Sequence, residues 1–126
     1  MLGRRSDGMY FSGYNTNRHI NSEIQHMAVI YKVTNNINGK IYIGKTVHTI
    51  ERRFLEHVYE SHTNTKNRPF HLAIAKYGPE NFSIKTIEEV NISDIDAREQ
   101  YWIQYYRSYI GFPDCNGYNA TLGGEG

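Results

Sequence analysis

Apolar residues are scattered without period through residues 1–26, a polar stretch rich in Gly and Asn, and a regular pattern sets in only from Ala28. Such a segment buries too little to offset its own ordering entropy, so 1–26 is expected to lie loose or to drape over the domain, apart from its fold. Val29 to Thr34 and Lys40 to Gly44 are β-branched and aromatic runs on either side of Asn38-Gly39, two residues that tolerate positive φ, and together they predict a hairpin. Thr46 or Thr49 then caps a helix over about residues 50–59. Pro69 opens a second helix, with Phe70, Ala73, Ile74 and Tyr77 as its apolar face. Gly78-Pro79 supplies its left-handed last residue and its stop. Phe82 to Val90 predicts a third strand beside the hairpin. Ser93-Asp94-Ile95-Asp96 resembles a capping box opening a helix to about Tyr106. The tail, from Asn116 to Gly126, reads as turn and linker.

The last of these helices breaks its own pattern. At about 100° per residue, Ile95, Trp102, Ile103 and Tyr106 form one stripe, and Glu99 falls inside it. A carboxylate aimed at a core needs a cation, a metal or several donors. On the residues alone, a salt bridge to an arginine, or the capping of a loop, explains Glu99 more simply than a ligand does. The wheel of the first helix puts Ile50, Phe54 and Val58 on the buried stripe, Arg53 and His57 together on its edge, and Arg52 toward solvent. An Arg-His pair beside a cleft suits an anion, since guanidinium matches phosphate oxygens and imidazole moves protons near neutral pH; a snorkelling rim is the plainer account. Tyr31 and Tyr42 fall on the hairpin strands, where tyrosine is common and by itself says little.

Composition narrows the class. At 126 residues the chain is one domain with room for a single core. Cys115 is the only cysteine, which fits a reducing, cytoplasmic compartment. No apolar run approaches the roughly 20 residues that cross a bilayer, so no membrane role is expected. The net charge of +1 conceals an asymmetry: residues 1–78 carry 11 Lys and Arg against 5 Asp and Glu (+6), and 79–126 carry 3 against 8 (−5). That split is compatible with one basic face. The six histidines and one cysteine show no zinc-ligand spacing, and neither a GxGxxG nor a Walker sequence is present.

Several separated motifs in one order carry a resemblance. They are Val29-Ile30-Tyr31, Tyr42-Ile43-Gly44, a helix with Arg53 and His57, the Lys76 to Phe82 stretch, a helix with Glu99, and Asn116-Gly117-Tyr118-Asn119. Together they resemble the GIY-YIG nuclease family over about residues 28–123, with Val29 where the first half-motif has its glycine. The resemblance implies a small α/β (α+β) domain, residues 27–123, built on a three-stranded antiparallel sheet flanked by helices. Residues 124–126 would begin a linker of the kind that joins homing-type members to a separate DNA-binding region.

It further implies that Tyr31 and Tyr42 are the two motif tyrosines, that Arg53 contacts the scissile phosphate and that His57 is the family histidine. Glu99 becomes the sole metal-binding side chain, Asn119 a catalytic asparagine near the domain's end, and Gly44 and Lys45 substrate-binding residues. One Mg²⁺ (or Mn²⁺) ion would act as Lewis acid on double-stranded DNA. Tyr31 or His57 would be the general base, with the tyrosine pKa lowered by Arg53, Tyr42, His57 and the metal; the residues do not decide between them. The expected function is a divalent-metal-dependent DNA endonuclease domain of the phage or mobile-element kind, acting in a phage-infected or bacterial host cell. A restriction or repair nuclease, or an inactive nucleic-acid-binding module, are the alternatives.

Overall fold

The computed structural model describes residues 27–63 and 68–124. The expectations for 1–26 and for the last two residues lie outside them.

β1 (Met27–Asn35), β2 (Ile41–Thr46) and β3 (Phe82–Asn91) form an antiparallel sheet in the order β2-β1-β3. β1 takes the centre because both of its faces are apolar. Ala28 and Ile30 point to one side, Tyr31 and Val33 to the other, and all four are buried. The hairpin loop closes through Gly39 N–H to Asn35 O at 2.7 Å and Asn35 N–H to Lys40 O at 2.9 Å. Gly39 takes φ +78°, whereas Asn38 does not use positive φ and instead accepts the Lys40 N–H with its side chain.

Thr49, not Thr46, caps α1 (Ile50–Ser61), accepting the Arg52 N–H at 3.1 Å, while the Thr46 hydroxyl accepts from His48 N and holds the turn before it. α2 (Pro69–Tyr77) starts and stops where proline and glycine require. Gly78 supplies the expected positive φ, +88°, but its ψ of 137° lies outside the left-handed helical well. α3 (Ile95–Tyr106) begins without a capping box: Asn91 accepts from Ser93 N–H in a preceding 3₁₀ turn, Asp94 makes no cap bond, and Asp96 pairs with Lys45. Arg107, at φ 56° and ψ 43°, closes α3 in the left-handed conformation.

The sheet separates two apolar layers. Ile30, Ile41, Ile43 and Val90 pack against Ile103 of α3 on one face. Tyr31, Val33 and Phe82 pack against Phe70, Ala73 and Ile74 of α2 on the other, with Phe54 and Val58 of α1 at the margin. The tail is not a linker up to Asn119. β2 is an edge strand whose outer backbone groups need partners, and the tail provides them: Ile41 N–H donates to Asn116 O at 3.0 Å and Tyr118 N–H to Ile41 O at 2.9 Å. Among the described residues no helix is long and apolar enough to cross a membrane.

Candidate active site

Tyr31 stands opposite Gly44 in the β1–β2 register. A Cβ at Gly44 would lie 2.3 Å from Tyr31 Cζ and Oη, so the absent side chain is what allows the ring to lie across β2. In that position Tyr31 Oη is 2.8 Å from His57 Nε2. Tyr42, diagonally across the ladder, has its ring centroid 6.3 Å from that of Tyr31 and stacks on Phe70 at 4.1 Å, which locks the floor beneath the two motif tyrosines.

His57 does not sit on a rim, as the wheel suggested; it is 2 % exposed. α1 turns its His57 and Ser61 line toward α2, leaving Phe54 and Val58 half-buried, because α2 supplies a polar partner there. That partner is His71, whose Nε2 lies 2.8 Å from His57 Nδ1. Glu60 Oε1 is 3.5 Å from the same His71 nitrogen and 3.7 Å from Arg68. The resulting row runs Tyr31, His57, His71, Glu60, from the sheet to the surface.

Burial dominates the protonation of this row. It pushes the Tyr31 hydroxyl far up, with Tyr42 adding and Arg53 only partly opposing. Among the protein's own groups, burial outweighs the lowering expected from Arg53, and Tyr42 adds to the rise instead of opposing it. Tyr42 is pushed up to about 12 by burial and then by Glu99. Burial, then Arg53 and His71, lower His57 to about 3. Burial also lowers His71, with Glu60 opposing. Neither a free tyrosinate nor a free imidazolium is therefore the resting state.

On the other wall, Glu99 is 8 % exposed inside the α3 stripe, where periodicity put it. Its Oε1 accepts the Gly124 N–H at 3.0 Å and lies 3.5 Å from Lys45 Nζ. Lys45 also meets Asp96 at 2.6 Å; burial works against its charge, but Asp96 and Glu99 outweigh it and raise its pKa. Gly123 and Gly124, both at positive φ, thus belong to the site. Arg53 is part-exposed and held by Glu56 at 2.9 Å, while Arg52 is solvent-exposed. Asn119 is buried, and its amide brackets Ile43: Asn119 Oδ1 accepts the Ile43 N–H at 2.9 Å and the Ser108 hydroxyl at 2.7 Å, and Asn119 Nδ2 donates to the Ile43 carbonyl at 2.8 Å. It acts as a one-residue strand partner that pins β2 between Tyr42 and Gly44.

Tyr31, Tyr42, Lys45, Arg53, His57, Glu99 and Asn119 all line one cleft of about 420 Å³, with Gly44 beneath the Tyr31 ring. Sequence reasoning missed His71, Glu60 and Arg68, which line it too. For His71 a signal existed: three residues before the core residue Ile74, it falls about 60° from it on the α2 wheel, at the edge of the buried face.

Comparison with known proteins bears on the family and the fold. The family model described as the GIY-YIG catalytic domain matches residues 27–119. The putative endonuclease segB of Enterobacteria phage T4 is 37% identical over 98 residues, 76% of this chain and 38% of that protein. Uncharacterized protein 019R of Invertebrate iridescent virus 6 is 32% identical over 95 residues, 73% of this chain and 33% of that protein. The chain thus spans about a third of the length of the curated relatives it matches. Among solved structures, a mutant of the catalytic domain of intron endonuclease I-TevI superposes with TM-score 0.60 at 25% identity, covering 75% of this chain and 94% of that one. With a match that spans all three strands and all three helices, the chain belongs to the GIY-YIG catalytic domain family.

Proposed function

We propose that this domain hydrolyses phosphodiester bonds of double-stranded DNA as a divalent-metal-dependent endonuclease of the homing type. The observation that carries the reading is the single cleft in which a hydrogen-bonded tyrosine and histidine, an arginine and a core-facing carboxylate face one another. Arg53, partly exposed at the mouth, is the group suited to hold a phosphate by two parallel hydrogen bonds. Lys45 adds a second positive charge on the wall of Glu99.

Tyr31 and His57 work together as the base. Neither titrates near neutrality alone, since both charged forms are opposed by burial. As the attacking water loses a proton to Tyr31 Oη, the tyrosine proton passes to His57 Nε2 and the His57 Nδ1 proton to His71 Nε2. The charge then rests beside Glu60, 3.5 Å away, the most exposed end of the row. Tyr42 and Asn119 are positioning residues that fix the ring floor and the β2 backbone.

Glu99 would hold the ion. It is a hard oxygen donor on the cleft wall, in a position already met by the Lys45 ammonium, so the local field favours a cation. One Mg²⁺ or Mn²⁺ there supplies Lewis-acid stabilisation of charge on the phosphate and leaving oxygens. With a net charge of +1, affinity and specificity are to be supplied by a separate DNA-binding domain or protein. The lone free thiol and the phage relative fit the cytoplasm of a host cell. Incubating the protein with supercoiled plasmid, with and without Mg²⁺, tests the reading: metal-dependent nicking is expected, and no nicking under either condition overturns it.

A further inference from the structure

The geometry points to a second, chemically different cation site in the same cleft, a Zn²⁺-type site formed by His57, Glu60 and His71 that shuts the proton row down. One ligand atom from each lies within 4.8 Å of the others. His57 and Glu60 are one helical turn apart on α1, and His71 faces them from the first turn of α2. Two imidazole nitrogens and a carboxylate oxygen are a donor set for a borderline transition metal, not for Mg²⁺, which prefers oxygen. Glu99 stands apart from this cluster on the α3 wall, so the two sites do not share a ligand.

The contact between the histidines defines how the ion enters. His57 Nδ1 and His71 Nε2, 2.8 Å apart, are bridged by one proton, since two N–H groups or two lone pairs would repel at that distance. Zn²⁺ replaces that proton. Tetrahedral coordination with bonds of about 2.0–2.1 Å sets the two nitrogens about 3.3 Å apart, so the rings separate by about half an ångström. Glu60 Oε1, 3.5 Å from His71 Nε2, is already near that ligand-to-ligand spacing, and as the half-exposed member it opens to solvent. Arg68, at 3.7 Å and itself half-exposed, must yield the carboxylate. The displaced proton moves to the other His57 nitrogen, since a neutral imidazole bound through Nδ1 carries its proton on Nε2, and that N–H donates to Tyr31 Oη, now 2.8 Å away. Tyr31 can then no longer pass its proton to His57. The ion therefore inhibits, while the fold is cross-linked between α1 and α2.

Binding is read first, without DNA. Titration with Co²⁺ in place of Zn²⁺ is expected to give one equivalent of visible d–d absorption of the intense, tetrahedral kind, displaced by Zn²⁺. Removing a ligand costs at least what losing an outer-shell partner does, so Glu60→Gln should weaken Co²⁺ about tenfold or more, and Glu60→His should restore it. The second reading is the Zn²⁺ concentration that halves Mg²⁺-supported nicking, each variant being compared with its own Zn²⁺-free rate. It should rise in parallel for Glu60→Gln. Wild-type affinity in Glu60→Gln, or only weak octahedral absorption, assigns binding to exposed imidazoles such as His48 and overturns the site. Tetrahedral binding at Glu60 without inhibition overturns the shut-off. The inhibition arm rests on the proposed nuclease activity; a chain that binds Co²⁺ as described but never nicks DNA sinks that activity and leaves the site standing.

Discussion

Gly44→Ala tests the link between the second half-motif and the proton row. The added methyl carbon would sit 2.3 Å from Tyr31 Cζ and Oη and 2.8 Å from Cε1. Carbon contacts are comfortable only beyond about 3.5 Å, so the ring must retreat by about 1 Å or more. Tyr31 is 1 % exposed, and its Oη is 2.8 Å from His57. A retreat of that size carries the pair past hydrogen-bond length. Overpacking costs about 1–3 kcal/mol. The orphaned hydroxyl and imidazole, both buried, add about 1–3 kcal/mol. A domain of this size loses about 4–8 °C in Tm per kcal/mol, so thermal melting should fall by roughly 10 °C or more. Misplacing the base by about 1 Å should slow Mg²⁺-supported plasmid nicking on the order of 100-fold. The double variant Gly44→Ala/Tyr31→Val removes the ring that the methyl strikes, and should regain much of the lost Tm with none of the activity. A single variant that melts and nicks like the parent would show that the Tyr31–Gly44 approach has no bearing on the reaction.

Three further outcomes follow from the same geometry. Arg53→Ala should cost far more nicking than Arg52→Ala, because only Arg53 lines the cleft; equal losses would place the phosphate elsewhere. Glu99→Gln should abolish nicking with stability within about 1 kcal/mol of the parent, because Lys45 keeps its shorter bond to Asp96 and glutamine still accepts from Gly124. Near-parental nicking, measured on the same preparation as the melt, would end the metal role. Between pH 6.5 and about 3 the unfolded chain binds a proton at His57 that the folded protein refuses, so stability rises with pH across that window. Acidification should therefore lower stability by up to about 1.4 kcal/mol per pH unit at this residue. His71 adds in the same direction, and His57→Gln should flatten denaturant midpoints measured against pH.

Local rules carried most of the fold. Alternation, Gly and Pro placement and a 3.6-residue period located three strands and three helices among the described residues to within a residue or two. Where the reading slipped, a longer-range partner had won. Asp96 left the expected capping box for Lys45, fifty-one positions earlier. The tail became a backbone partner of β2 because an edge strand needs one, a demand that no local pattern in residues 116–119 expresses.

The candidate site divides the same way. By itself the sequence determined that Glu99 faces the core, that Arg53 and not Arg52 leans inward, and that Tyr31 and Tyr42 ride neighbouring strands, because each is a matter of period within one element. Tertiary structure alone decided what those side chains meet. His57 left the rim for the interior when α1 leaned on α2, and His71 and Glu60 then joined it across 14 and 3 residues. The Tyr31 ring found its place through a glycine on another strand. Burial, which depends on all the layers at once, set the direction of every shifted proton in that row, and periodicity within one helix or strand holds no information about it.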